Sequence, residues 1–288
     1  MKTRAKIAIW ISASRPRLYS LFLLLLVLPI AVFAYSVGRV LRQQVETQAA
    51  TESTQIARVS ATLVEENFRQ STAFLQSIAA RPIFLRAWRR RNLDGVEWDL
   101  KEASSLRPDL AFVSAYDLDG TMRAVYPNQP AALHQNFSYR DWYKGAVRDW
   151  QPYISEVYQT AIAPHELVVA IVVPIKDEAG QPIGILMAPY TLETMSSRLV
   201  ENKMRSAWTI SLVDQHGHLS ARPNINSHAA PIDLSGYEPV KLMREGNSGY
   251  GAFVRGGETV FAGYDPVSRY GWGCLLYTSD AADDLTRV

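Results

Sequence analysis

Residues 167–188 read LVVAIVVPIKDEAGQPIGILMA, two apolar runs on either side of the polar turn Lys176-Asp177-Glu178-Ala179-Gly180. Runs of this length, rich in β-branched residues and bounded by a Gly-containing turn, predict paired strands from Leu167 to Ile175 and from Pro182 to Leu192. Toward the N-terminus, Tyr153–Tyr158 reads as a third strand and Tyr139–Asp149 as a helix. Ala111–Tyr116 and Thr121–Tyr126 flank Asp117-Leu118-Asp119-Gly120 as a hairpin. Five strands with covering helices make an α+β module built on an antiparallel sheet.

Toward the C-terminus the chain repeats itself. SAYDLDGTMRAVYPN from Ser114 resembles SLVDQHGHLSARPN from Ser211, with Ser114/Ser211, Asp117/Asp214 and Gly120/Gly217 each 97 positions apart. The shared device is a strand, a turn opened by Asp and closed by Gly, and a return strand. A helix from Leu192 to Met204 leads into this second, smaller module. Tyr250–Val254 and Glu258–Tyr264 around Gly256-Gly257 form a further hairpin.

Ahead of the first module lies a long helical stretch to about Ala80, free of Gly and Pro after Gly38. Val45, Ala49, Glu52, Ile56, Val59 and Leu63 alternate spacings of four and three, a diluted heptad stripe. It suits a stalk that packs on its own sheet or on a twin helix, and a homodimer is expected. A second helical stretch, Leu85–Leu106, carries Arg89, Arg90 and Arg91 on a solvated face.

From Leu18 to Val37 the sequence LYSLFLLLLVLPIAVFAYSV holds no charge, and twenty helical residues span about 30 Å, the thickness of a bilayer core. Lys2, Arg4, Lys6, Arg15 and Arg17 precede it without an acid, which places the N-terminus in the cytoplasm and the remainder outside. A cleaved signal peptide is the rival, but the apolar run exceeds the usual length and continues into helix rather than a turn.

Composition excludes several classes. Lys+Arg number 30 against 28 Asp+Glu, a balance unlike a nucleic-acid-binding footprint, and the single cysteine, Cys274, rules out an internal disulfide framework. Hydrophobic residues at 48% predict packed cores. No phosphate-binding glycine loop or Gly-x-Ser-x-Gly occurs, and His165-Glu166 lacks the second histidine of a zinc helix. His216-x-His218 falls in a hairpin turn, and no metal or other cofactor is expected.

Order, spacing and motifs together (FVSAYDLDG, NFSYRDWYKGA, YISEVYQT, VVAIVVPIKDEAGQPIGIL and YDPVSRYGWG) resemble the double Cache sensor domain over about residues 35–273. The resemblance implies two tandem PAS-like modules between membrane helices, in a bacterial inner-membrane receptor whose domain faces the periplasm or the exterior. In that family the membrane-distal module usually holds the ligand, and the output is a chemoreceptor, histidine kinase or cyclic-dinucleotide enzyme. The organisation expected is a basic N-terminus (1–17), a transmembrane helix (18–37), stalk and covering helices (38–106), a membrane-distal module (107–192), a membrane-proximal module (193–273) and a tail (274–288). That tail, CLLYTSDAADDLTRV, resembles translated sequencing-adapter read-through and reads as non-native.

The site expected is SYRDWYKG. Arg140 offers a fork for a carboxylate, Trp142 a directed indole N–H, and Tyr143 and Tyr158 phenols. The family resemblance assigns the matching Arg, Trp and Tyr to the carboxylate of an amino acid. Chemistry alone leaves open a structural role, with Trp142 and Tyr143 in the core and Arg140 paired to Asp141 or Glu156. The segment from Tyr126 to Phe137, with Pro127, Asn128 and Pro130, suits a lid. Two departures matter: Gln135 stands where amino-acid-binding members carry Tyr, and Pro189 where they carry an Asp that neutralises the ligand's ammonium. An organic acid without an amine therefore fits better than an amino acid. The function expected is a non-catalytic sensor of a small carboxylate. The alternatives are the N-terminal part of a sensor kinase or diguanylate cyclase and, more remotely, a membrane-anchored hydrolase.

Overall fold

The computed structural model describes residues 2–161, 165–201, 208–222, 230–255 and 257–278. Helix α1 (Lys2–Ala79) contributes to two compact units, one ending at Thr51 and the other beginning at Glu52. In the first unit, Phe22–Leu41 is apolar enough to cross a membrane, with a mean hydropathy of 2.1 and none of it buried. Phe22, Leu24 and Phe33 are exposed there.

The second unit holds two antiparallel sheets with the same connectivity. The first contains β1 (Val113–Tyr116), β2 (Met122–Tyr126), β3 (Tyr153–Gln159), β4 (Leu167–Lys176) and β5 (Pro182–Thr191), in the order β2-β1-β5-β4-β3. The second contains β6 (Trp208–Val213), β7 (Leu219–Ala221), β8 (Gly249–Arg255), β9 (Glu258–Val267) and β10 (Trp272–Thr278), in the order β7-β6-β10-β9-β8. The two sheets are separate, as the repeat predicted.

The match at a spacing of 97 is more than a shared hairpin. Gly120 N–H donates to Asp117 and Gly217 N–H to Asp214, and both glycines hold the positive φ (85° and 92°) that the turn requires. Phe137 N–H donates to the Gly120 carbonyl as Leu234 N–H does to Gly217, and bridges join Thr121 to Asn136 and His218 to Asp233. The correspondence reaches the next helix in each module. Arg140 is the N-cap of α4 (Asp141–Asp149), and Tyr237 that of α6 (Glu238–Arg244), again 97 positions on.

The expected single helix Leu85–Leu106 is two, α2 (Pro82–Arg89) and α3 (Leu93–Leu106). Arg91 takes a positive φ between them, and the Asn92 side chain accepts from Gly95 N–H at 3.3 Å to start α3. The long faces of α1, α2 and α3 cover one side of the first sheet. Phe68, Leu75 and Ile78 of α1, with Phe84, Trp88 and Leu100, are buried against Val113, Val169, Ile171, Val173 and Leu186. Alternation along each strand sends the intervening residues, including Tyr116, Ala170, Val172 and Met187, to the opposite side beneath α4. The helix expected from Leu192 is α5 (Leu192–Glu201); the end of that stretch lies outside the described residues.

The boundary at Gly273 needs correction. β10 continues to Thr278 and pairs with both β6 and β9, and Cys274, Leu275, Leu276 and Tyr277 are fully buried. An uncharged run of these side chains completes the centre of the second sheet, so residues 274–278 behave as strand. The remainder of the expected tail, 279–288, lies outside the described residues.

Candidate functional site

The site sits on the face of the first sheet away from α1. Tyr116, Met122 and Met187 reach it from the strands, Phe112 from just before β1, Phe137 from the segment before α4, and Arg140 and Trp142 from the start of α4. Tyr158, Thr160 and Ala161 close it from the end of β3. The cavity is small, about 20 Å³ or room for a single water, and partly open to solvent, so an organic ligand fits only where the wall yields or the ligand extends outward. Met122 and Met187 line it, and their unbranched thioether chains re-pack at low cost.

Arg140 is placed by backbone geometry. As N-cap it is extended (φ −73°, ψ 148°) and makes no side-chain cap, which leaves the guanidinium free to project. The charge lies 5.0 Å from the Tyr158 ring centroid and 5.1 Å from that of Tyr139. Cation–π attraction of this kind fixes the fork without consuming its N–H donors. Neither suggested ion pair forms among the described residues. Asp141 instead accepts from Glu156 N–H (3.0 Å) and the Tyr153 hydroxyl (3.2 Å), and Glu156 faces His216 at 3.6 Å.

Trp142 is 1% exposed and tilts against Tyr116 with centroids 4.7 Å apart, so it is both core and cavity wall. Its indole N–H, like the Tyr158 hydroxyl, meets no hydrogen-bond acceptor among the described residues. Burial pushes the Tyr158 and Tyr116 phenols well above their usual range, with Arg140 pulling both back. Both therefore stay protonated donors. The Tyr116 hydroxyl accepts from Ser114 Oγ at 3.1 Å, which leaves its own proton for another partner. Among the described residues that line it only Arg140 carries a charge, and none is a carboxylate.

Tyr143 does not join this group. Its hydroxyl donates to the Leu118 carbonyl at 2.7 Å, and its ring covers Gly120, where an added Cβ would meet it at 3.0 Å. It closes the β1–β2 turn. The expected lid is tied down as well: His134 N–H donates to the Met122 carbonyl, and Met122 N–H to that of Gln135. From that segment it is Phe137 that lines the cavity. Phe112, Tyr116, Met122 and Met187 escaped the sequence reading; period-two alternation alone would have put Phe112 and Tyr116 on one face. Pro189 shares the face of Ile185 and Met187 by the same alternation and is buried. Among the described residues no cluster of His, Cys, Asp or Glu could hold a metal ion.

The Cache domain model dCache_1 matches residues 39–282. No curated protein matches the chain in sequence. Solved structures share the fold at low identity. The extracellular domain of the putative histidine kinase rpHK1S-Z16 is 20% identical with a TM-score of 0.65, covering 82% of this chain and 97% of that one. The ligand-binding domain of the Pseudomonas aeruginosa amino acid chemoreceptor PctB, bound to L-Arg, is 18% identical with a TM-score of 0.63 (82% and 97% covered). That of the Pseudomonas fluorescens chemoreceptor CtaA, bound to L-isoleucine, is 16% identical with a TM-score of 0.63 (85% and 98%).

Proposed function

The chain belongs to the Cache domain family, of the double type, and on that footing we propose that it is the extracytoplasmic sensor of a bacterial inner-membrane receptor, binding a small carboxylate in its first module. The observation that carries the reading is that Arg140, Trp142 and Tyr158 line one cavity with no acid among its described lining residues. A carboxylate can take two parallel bonds from the guanidinium and a third from the indole or a phenol. An α-ammonium would enter an apolar, aromatic enclosure without a counter-charge, an expensive burial. The ligand class favoured is therefore an organic acid without an amine, which departs from the amino acids bound by PctB and CtaA. The domain itself is non-catalytic in this reading, and its output is carried by other parts of a receptor.

The apolar helix supplies the membrane anchor, and the domain lies on the periplasmic or outer side. A homodimer through α1 completes the reading. Ala57, Ala61 and Val64 are buried in their own chain, whereas Val59 and Leu63 are 50% and 46% exposed on another face of the helix. Val45 of the same expected stripe has a side chain outside the described residues.

The test is calorimetry on the full chain in nanodiscs, after a thermal-shift screen of organic acids, amino acids and amines. Losing a hydrogen-bond partner to a charged group costs about 1.5–3 kcal/mol, so Arg140→Ala weakens the best carboxylate roughly 10- to 150-fold. The proposal fails if the tightest ligand lacks an anionic group, or if Arg140→Ala binds it as well as the parent.

A further inference from the structure

β3 is an edge strand, and its pairing with β4 is interrupted between Ile154 and Val157. The bulge turns two edge amides outward, where unpaired N–H groups would otherwise need water. Two carboxylates take them. Glu156 N–H donates to Asp141 Oδ2 at 3.0 Å, and Val157 N–H donates to Asp214 Oδ2 at 2.8 Å. Asp141 belongs to α4 of the first module, but Asp214 belongs to the β6–β7 turn of the second. Asp214 is fully buried and also accepts from His216 N–H (2.9 Å) and His218 N–H (2.8 Å). Gln215 from the same turn donates to the Tyr153 hydroxyl at 3.3 Å, and that hydroxyl donates to Asp141. The two modules are thus joined by hydrogen bonds centred on carboxylates from both.

The charge at this junction is unbalanced without its imidazoles. Asp141, Glu156 and Asp214 crowd one place, with Asp233 beyond His218. The groups that offset them are His216, whose Nε2 lies 3.6 Å from Glu156 Oε2, and His218, whose Nδ1 lies 3.3 Å from Asp214 Oδ2. Arg148 of α4 faces the Tyr153 side of the cluster. An imidazole changes charge between about pH 5 and 8.

We propose that the β6–β7 turn and β3 form a pH-sensitive clasp between the two modules, closed when His216 and His218 are protonated and loosened when they are neutral. With both imidazoles charged, three acids meet two cations. With both neutral, the acids repel across the bulge and the Val157–Asp214 bond is the one that strains. Glu156 acts in the same direction. Burial first, then the Asp141 carboxylate, raises its carboxyl above the ordinary value, while His216 opposes them. A raised carboxyl contributes its stability below the ordinary value and loses it as pH rises through the raised one. The raised Glu156 carboxyl therefore favours the closed clasp in acid. Asp141 directly follows Arg140, so the clasp abuts the ligand site without depending on which ligand that site takes.

The experiment is hydrogen–deuterium exchange on the full chain in nanodiscs at about pH 5.5 and pH 8, spanning the imidazole titration. Protection of the β3 peptide is corrected for the intrinsic pH dependence of exchange. Partly exposed ion pairs are worth little individually, so the parent's protection should fall about 2- to 5-fold between the two pH values. His216→Gln with His218→Gln should show equal protection at both. Glu156→Gln, which keeps the imidazoles and removes one acid, should show a smaller fall than the parent. An unchanged parent overturns the clasp, as does a parent-sized fall in either variant. Loss of folding in the double variant leaves Glu156→Gln to decide.

Discussion

The two modules share strand order, turn geometry and the hydrogen bonds that lead into the helix after the second strand, yet they treat the same face of the sheet differently. In the first, the N-cap of that helix is Arg140, and a cation with three uncommitted donors around it borders a cavity. In the second, the N-cap is Tyr237, whose ring packs against Phe253 and Tyr277 with centroids 6.1 and 6.2 Å away. Beside it Met243 lies over Gly273 so closely that a Cβ there would come within 2.5 Å of its sulfur. One scaffold thus carries a face with a small cavity or a filled face, and the difference lies in side chains at equivalent positions, a charged residue in one and an aromatic one in the other.

The largest expected effect separates stability from binding. Met243 is 4% exposed in the core of the second module, and truncating a buried Met costs about 2–5 kcal/mol, so Met243→Ala should lower the unfolding temperature by several degrees. Ligand affinity in the first module should be unchanged, apart from what the clasp transmits. A variant that unfolds at the parent's temperature would show that the second face is not packed as a core. Next, Arg140→Tyr makes the first module resemble the second. It should abolish carboxylate binding while the unfolding temperature stays within a few degrees, because no ion pair is broken among the described residues. Retained binding would mean the cation is not what distinguishes the modules.

The smallest effect asks at which module's level of α1 the proposed dimer contact falls. Val59 and Leu63 lie near Arg58, which pairs with Asp265 of the second module at 3.6 Å, whereas Gln76 lies beside residues packed on the first. Val59→Cys and Leu63→Cys should therefore cross-link in membranes more readily than Gln76→Cys. Cys274 will not compete, being buried with its thiol pushed up to about 12. Equal cross-linking at all three positions would argue against a dimer face at the second module.

Much of this was legible in residues that act locally. Asp117 and Asp214 with their glycines announced two copies of one turn, because an Asp-opened, Gly-closed connection follows from backbone sterics and a few bonds. The site was legible only in part. Arg140 and Trp142 reach the cavity, but Tyr143, the next residue on α4, is rotated onto the Gly120 turn, and nothing in its chemistry distinguishes it from its neighbour.

By itself the sequence determined the uncharged apolar span, the alternation of strands and turns, the repeat at 97 positions and an arginine placed to begin a helix. These depend on periodicity, backbone conformation and solvation of contiguous residues. Only the tertiary structure decided that Phe112, Tyr116 and Met187 share one cavity, that Cys274–Thr278 complete a sheet, and that Asp214 holds the amide of Val157. Those contacts join positions far apart in the chain, and they depend on which face of each strand is turned toward which helix. A side chain's type does not encode that choice; it is fixed when the sheets pack.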